Sequence, residues 1–245
     1  MKTVAKVLLA AASVAILSAQ TAEELVDRNL QAKGGIEKIK ALRTLRATGK
    51  LQGGGGFTAQ LGEDSMAPNQ VRETFTVQGM TEIRAYDGNA GWKISPFEGR
   101  KDPQLLGEEE LRDIEEEANF YGPLVDYRAQ GNTVEYVGKD TVDGDDVFRL
   151  KVTLKNGDIF YYYLDPETFL EIRTERVRIV RGAVSESVVE SGSYKQVAGV
   201  YMPFTVEVGS KQSPARAKIT YDKIEPNVTL DPAEFKMPAA KGGSK

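Results

Sequence analysis

Ala85-Tyr86-Asp87-Gly88-Asn89-Ala90-Gly91-Trp92-Lys93-Ile94-Ser95-Pro96-Phe97-Glu98-Gly99 is the stretch that decides the fold, and it holds the only tryptophan of the 245-residue chain. Met80 to Tyr86 alternates like a strand, Asp87-Gly88-Asn89 supplies residues that tolerate positive φ, and Trp92 to Phe97 returns, so the whole reads as a β-hairpin. Pro96 lacks an N–H and ends the second strand or places it at a sheet edge. A large aromatic just past a tight turn is ordinarily a core anchor.

Outward from this hairpin the pattern continues as an antiparallel meander, with strands near 45 to 52, 56 to 62, 69 to 77, 80 to 86 and 91 to 96. Gly53 to Gly56 could cradle a phosphate only if a Lys-Ser/Thr pair and a helix followed. Neither does, and the run reads as a hairpin tip. Phe57, Ala59 and Leu61 share one parity, as do Val71, Phe75 and Val77, while Arg72, Thr74 and Thr76 take the other side, so one sheet face is apolar.

A second strand block spans Thr133 to Asp222. Asp143-Gly144 and Asn156-Gly157 are two-residue hairpin signals, and Phe148, Leu150, Val152 and Leu154 alternate with Arg149, Lys151 and Thr153. Ile159 to Leu164 does not alternate, which predicts a strand covered on both faces, or one whose tyrosines present rings inward and hydroxyls to water. Further strands are expected at 169 to 180, 183 to 197, 200 to 208 and 215 to 221. Roughly ten or more strands exceed what an uncurved open sheet supports, so curvature and partial closure follow.

Three helical segments break this pattern. Thr21-Ala22-Glu23-Glu24 fits a capping box ahead of Leu25, Val26, Asn29, Leu30 and Lys33, and a second short helical turn over Ile36, Ile39, Ala41 and Leu42 leads into the sheet. Between the strand blocks, in residues 107 to 124, Leu111, Ile114, Ala118 and Tyr121 recur at helical spacing with acids on the remaining faces. This inserted amphipathic helix must cover something.

Lys2 and Lys6, an apolar run from Val7 to Leu17, and Ser18-Ala19 have the plan of a secretory signal peptide, too short for a membrane span of roughly 20 residues. The expectation is cleavage after Ala19, a single domain over 20 to 238, a disordered tail over 239 to 245, and a soluble exported protein. With no cysteine at the cleavage site the mature chain has no lipid-accepting thiol, and it has no disulfide.

The chemistry available is limited. The chain has no histidine and no cysteine, which removes Ser-His catalysis, thiol nucleophiles and His-based metal sites. No carboxylate pair can be placed in a shared pocket from sequence. Asp140, Asp143, Asp145 and Asp146 lack the spacing of an EF-hand, and Gly144 sits where a turn needs it. With 36 acidic and 32 basic residues mixed along the chain, no basic stripe suits a nucleic-acid backbone. What remains is a curved sheet with an apolar face under a helix, a shape suited to an acyl chain.

Asp87-Gly88-Asn89, Trp92 and Pro96-Phe97 resemble the D-G-x-x-x-W-x-x-x-P-F hairpin of the LolA-like and LolB-like lipoprotein carriers of the bacterial envelope. Pro68-Asn69 before a strand and the ending Phe235 to Pro238 are similar to that family too. The resemblance implies a mainly β fold (α+β), a strongly curved antiparallel sheet forming a half-open barrel, with an N-terminal helix and an inserted lid helix. It also implies a monomeric periplasmic carrier, without cofactor, metal or catalytic activity, that hands acyl chains of a lipoprotein or lipid between membrane-bound donor and acceptor proteins. The family's carrier typically has Arg ahead of the Pro-Asn to fasten its lid, and here Ala67 stands there. By parity, the lipid-lining candidates are Phe57, Leu61, Phe75, Trp92, Ile94, Phe97, Leu111, Ile114, Tyr121, Phe148, Leu150 and Val152. The alternative expectation is an envelope protein-interaction scaffold in which these residues are a filled core and no lipid binds.

Overall fold

The computed structural model describes residues 20–239, so the expected signal peptide and all but the first residue of the expected tail lie outside the described residues. Helix α1 (Ala22–Ala32) opens on the expected capping box: the Thr21 hydroxyl accepts from the Glu24 amide at 3.1 Å, and the Glu24 carboxylate accepts from the Thr21 amide at 2.9 Å. Helix α2 (Ile36–Ala41) follows. The first arm of the sheet is β1 (Thr44–Gln52), β2 (Thr58–Met66), β3 (Gln70–Val77), β4 (Met80–Tyr86), β5 (Gly91–Ile94) and the two-residue β6 (Gln104–Leu105).

Helix α3 (Glu108–Glu117) then crosses to the second arm, β7 (Thr133–Val142), β8 (Asp145–Thr153), β9 (Ile159–Leu164), β10 (Glu171–Val180) and β11 (Ala183–Gly192). A small separate hairpin, β12 (Lys195–Val197) and β13 (Val200–Met202), precedes β14 (Thr205–Ser210) and β15 (Ala217–Pro226). A 3₁₀ turn (Pro232–Phe235) lies near the C-terminal end of the described residues.

Thirteen strands form one antiparallel sheet in the order β6-β5-β4-β3-β2-β1-β15-β14-β11-β10-β9-β8-β7. The sheet is half-open: β6 and β7 are its free edges. Its curvature follows from one helix. In a flat sheet the seven steps from β4 to β10, at about 4.8 Å each, would separate them by roughly 34 Å. Yet α3, about 10 Å across, pairs with Arg84 on β4 and with Arg176 and Arg178 on β10. The sheet is therefore wrapped around α3.

Several boundaries differ from the sequence expectation for local reasons. The helix expected within 107 to 124 stops at Glu117; the Phe120 amide donates to the Pro68 carbonyl instead of continuing the helix, and Gly122 adopts φ 76°. The strand expected over 183 to 197 breaks at Ser193, which has φ 52°, and Pro203 separates β13 from β14. The strand expected at 56 to 62 runs from Thr58 to Met66 and carries the charged Glu63 and Asp64 into the sheet.

Three packed clusters fix the layers on the helix-covered face. Leu25 and Val26 of α1 pack with Leu124 on Phe148, Leu150, Val152, Phe160, Tyr162 and Leu164. Ile114, Leu111 and Ala118 pack on Val71, Tyr86 and Leu106. Ile39 and Leu42 pack with Val125 and Val200. On the opposite face Trp92 is 2% exposed and its Nε1 donates to the Phe235 carbonyl at 2.8 Å, with Ala85 and Phe235 fully buried beside that face.

Trp92 thus holds the C-terminal 3₁₀ turn on the convex side. Trp92→Ala is expected to lower the unfolding free energy by about 3–5 kcal/mol. Trp92→Phe keeps most of the ring and loses the hydrogen bond, for a smaller cost of about 1 kcal/mol plus the lost ring volume. Urea denaturation followed by circular dichroism measures both, and a Trp92→Ala cost no larger than that of Trp92→Phe would refute this role.

Candidate functional site

Residues directly opposite each other in antiparallel pairs share a face, and neighbours along a strand alternate. Val71 and Tyr86 face α3, and a Cβ on Gly91 would meet Leu111 at 2.8 Å, which identifies the α3 side of β5. Two residues on from Val71 the same face carries a row of charges, Glu63, Glu73, Arg84 and Lys93, paired one to the next across β2, β3, β4 and β5.

Beyond that row the face turns apolar. Leu61 pairs with Phe75, and Ala59 with Leu51, which pairs with Ile219, itself opposite Val206. Val208 then pairs with both Ala217 and Val189, and Val189 with Thr174, which is opposite Tyr162. Leu51, Phe75, Val77, Val189, Val206, Val208, Ala217 and Ile219 are half-buried, and none belongs to the clusters beneath the helices. They form the floor of a trough between the two arms. Cavities of about 210 and 310 Å³ flank Tyr162 at its far side, the first bordered by Lys33, Glu171 and Tyr194, the second by Arg112, Glu116 and Phe160.

The α3 strap is held at both edges of the trough by ion pairs. Toward the first arm, Lys93 reaches Glu110 at 2.7 Å, and Arg84 lies 3.5 Å from Glu117 and 3.4 Å from Glu73. Toward the second arm, Arg178 donates to Asp113 at 2.6 Å and to Glu116 at 2.7 Å, Arg176 donates to both, and Arg112 pairs with Asp158. Arg178 and Asp158 are buried, with side chains 5% and 1% exposed.

At the first-arm edge the carboxylates outnumber the cations. Burial, then the Glu117 charge, pushes the Glu73 carboxyl well up, and its Oε2 accepts no hydrogen bond. Burial also raises Glu63, opposed by hydrogen bonds from Ser65 and Tyr221. Glu117 keeps 43% of its side chain open, yet it is ringed by protein. Loss of bulk hydration, opposed by Arg84 and reinforced by Glu63, Asp113 and Glu116, pushes it up to about 7. Glu110 moves the other way, lowered first by the hydrogen bond from Lys93.

The residues expected to line a lipid site are not gathered in one place. Leu61 and Phe75 lie on the trough floor. Leu111 and Ile114 anchor α3 to Val71, Tyr86 and Leu106, and Phe148, Leu150 and Val152 lie on the same sheet face under α1. Tyr121 has left the helix; its hydroxyl donates to the Leu42 carbonyl at 3.0 Å, and its ring borders the smaller cavity. Trp92 and Ile94 point to the opposite face of the sheet. Phe57 and Phe97 are 48% and 45% exposed, in the β1–β2 turn and the 3₁₀ turn Pro96–Glu98. Sequence reading missed the floor residues of β11, β14 and β15, although Val206 and Val208 carry the same alternation signal as Leu61 and Phe75.

No protein-family model matches this sequence, and no curated protein matches it either. Solved structures do match. A LolA superfamily protein from Nitrosomonas europaea aligns over 89% of this chain and 98% of its own at 12% identity and TM-score 0.61. A domain assigned to the outer membrane lipoprotein-sorting proteins, from Vibrio parahaemolyticus, aligns over 87% and 97% at 13% identity and TM-score 0.59. The chain has a LolA-like fold. A DUF1329 family protein from Desulfovibrio piger shares it over 88% and 97%, at 13% identity and TM-score 0.60. At these identities the likeness speaks for the fold alone. Among the described residues no helix is long and apolar enough to cross a membrane.

The raised carboxyls have a signed consequence. A carboxyl held above its unfolded value binds a proton more tightly in the folded state, so its contribution to stability is complete below about pH 4.5 and is lost as pH rises through the folded value. Thermal unfolding of Glu117→Gln, which cannot ionise, should therefore improve relative to the native chain from pH 5 to pH 8, through the value near 7 of Glu117. Parallel melting-temperature profiles for the two proteins would exclude this account of the α3 edge.

Proposed function

We propose that this chain is a carrier of the bacterial periplasm that shields acyl chains of a lipoprotein or lipid in the trough beneath α3. The supporting observation is the floor itself, a continuous set of apolar side chains outside the clusters packed under the helices, half-buried except for Ala59 and Leu61, which are buried. Burying each methylene of a bound chain on such a floor contributes about 0.8 kcal/mol. A full-length acyl chain therefore gains on the order of ten kcal/mol by leaving water.

In this reading residues 1–19 are a signal peptide, cleaved on export, and 20–238 are one LolA-like unit acting as a monomer without a cofactor. The site residues reduce to Leu61 and Phe75 from the sequence candidates, joined by Leu51, Val189, Val206, Val208 and Ile219. Leu111, Ile114, Phe148, Leu150 and Val152 act by holding α3 and α1 over the same face. Membrane-bound donor and acceptor proteins would load and empty the trough, and the chain acts as a carrier and not as a catalyst.

The protein purified from a periplasmic extract should yield lipid on solvent extraction and mass spectrometry, and it should bind a fluorescent fatty acid. Val206→Asp and Val208→Asp place a charge on the floor and are expected to weaken that binding at least tenfold, about 1.4 kcal/mol, while circular dichroism stays native. Val208→Ser, a milder change, should give an intermediate loss. Absence of both extracted lipid and fatty-acid binding would favour the protein-interaction scaffold instead.

A further inference from the structure

Tyr162 ends a row that begins on the floor. Val206 stands opposite Ser191, and Val189 opposite Thr174, which in turn stands opposite Tyr162. Ser191, Thr174 and Tyr162 all border the cavity of about 210 Å³, so it lies directly beside the floor. At roughly 30 Å³ per water it has room for about seven water-sized groups. That is the size of a small polar head and not of a second acyl chain.

The polar groups of this cavity are unevenly used. Lys33 and Glu171 are the only charged residues of its lining, and they pair with each other at 3.0 Å. Burial pushes the Glu171 carboxyl up, but the charge and hydrogen bond of Lys33 outweigh it and hold the group below its ordinary value, so the pair is ionic. The Tyr194 hydroxyl is spent on the Glu171 carbonyl at 2.7 Å. Tyr162 is only 9% exposed, yet among the described residues its hydroxyl has no hydrogen-bond partner, and neither has that of Thr174. Burial, then the charges of Glu171 and of Glu116 in the neighbouring cavity, pushes the Tyr162 hydroxyl well up, so it keeps its proton and stays a donor.

A donor buried that deeply costs stability unless something accepts from it. The acceptor that suits this cavity is uncharged. A carboxylate would have to shed its hydration facing Glu171 and Glu116, beside a lysine that Glu171 already neutralises. An ammonium would find Glu171 taken. A carbonyl oxygen accepts from Tyr162 and leaves the Lys33–Glu171 pair intact.

We propose that the cavity beside Tyr162 is a headgroup subsite that takes the carbonyl of a neutral acyl ester, with Tyr162 as its donor, and favours that ester over the free fatty acid. The chain of the ester then lies along Val189, Val206 and Val208. The proposal rests on the carrier reading and names the class of lipid the trough prefers. Lys33 is held in place for it: the Tyr201 amide donates to the Lys33 carbonyl at 2.8 Å, and Gly34, at φ 126°, packs so closely on the β12–β13 turn that an added Cβ would strike the Gly199 carbonyl oxygen.

Ligands of one chain length isolate the head. Displacement of a neutral naphthylamine dye from the mature chain is followed by fluorescence at about pH 8, where a fatty acid is ionised. A free glyceride and a lipoprotein are the two sources of such an ester, represented by monolauroylglycerol and by a peptide carrying the same glyceride. Both should bind at least roughly tenfold more tightly than laurate. Tyr162→Phe keeps the ring in its apolar cluster and removes only the donor; it should narrow that preference roughly three- to tenfold. Glu171→Gln frees Lys33 and should tighten laurate binding at least about tenfold, a gain that misfolding cannot imitate. An unchanged preference in either variant would overturn the subsite, while dye displacement by the lipids would still uphold the carrier reading. A native chain that binds neither dye nor lipid would overturn both.

Discussion

The wrapped shape depends on one short helix being tied down on both sides. Helix α3 presents Leu111, Ile114 and Ala118 to the first arm, while Asp113 and Glu116 meet Arg176 and Arg178 seven strands away in the sheet order. The apolar stripe alone would seat the helix on β3 to β5 and leave β10 free to swing out. The ion pairs are what join the arms. Arg178 and Asp158 are nearly fully buried, so removing either partner would strand a charge in a poorly solvated place, a far larger cost than that of any surface pair.

This explains why α3 carries so many acids. Its first turn holds Glu108, Glu109 and Glu110, favoured near a helix N-terminus, and Glu110 also completes the cap by accepting from the Gly107 amide at 3.3 Å. From Asp113 onward the helix dipole no longer accounts for the acids, and Asp113, Glu116 and Glu117 are matched by cations of the facing strands. At the Arg84 edge the matching is incomplete: Glu73 and Glu117 share one guanidinium, and burial raises both carboxyls, as it does that of Glu63. The two edges of the strap are thus unequal: against β10 two arginines bridge Asp113 and Glu116, although burial still raises the Glu116 carboxyl, whereas against β3 and β4 Glu73 and Glu117 have Arg84 alone.

Much of this architecture was legible in the residues. Asp87-Gly88, Asp143-Gly144 and Asn156-Gly157 mark turns because their positive φ values need glycine, and the Thr21 to Glu24 capping box marks α1. The half-open sheet follows from strand number. The site was less legible, because alternation says that two sets of residues face opposite ways and not which set faces the trough. Trp92 and Phe75 both read as buried aromatics, and they belong to opposite faces. Phe57 stands one residue before β2 and Phe97 three residues past β5, where the chain has already turned into solvent.

Polarity within one face was hidden for a different reason. Glu63, Glu73 and Arg84 occupy the same parity as Leu61, Phe75 and Val71, and a strand scanned alone shows them only as interruptions. Once the strands are laid side by side, the interruptions line up as a single charged row. That row divides the covered face into an apolar seat for α3 and an apolar floor that α3 leaves open. A fully apolar face would have favoured collapse of the helix anywhere along it; on the first arm the charged row confines the apolar stripe of α3 to the side of Val71 and Tyr86 and leaves the floor beyond it available to a ligand.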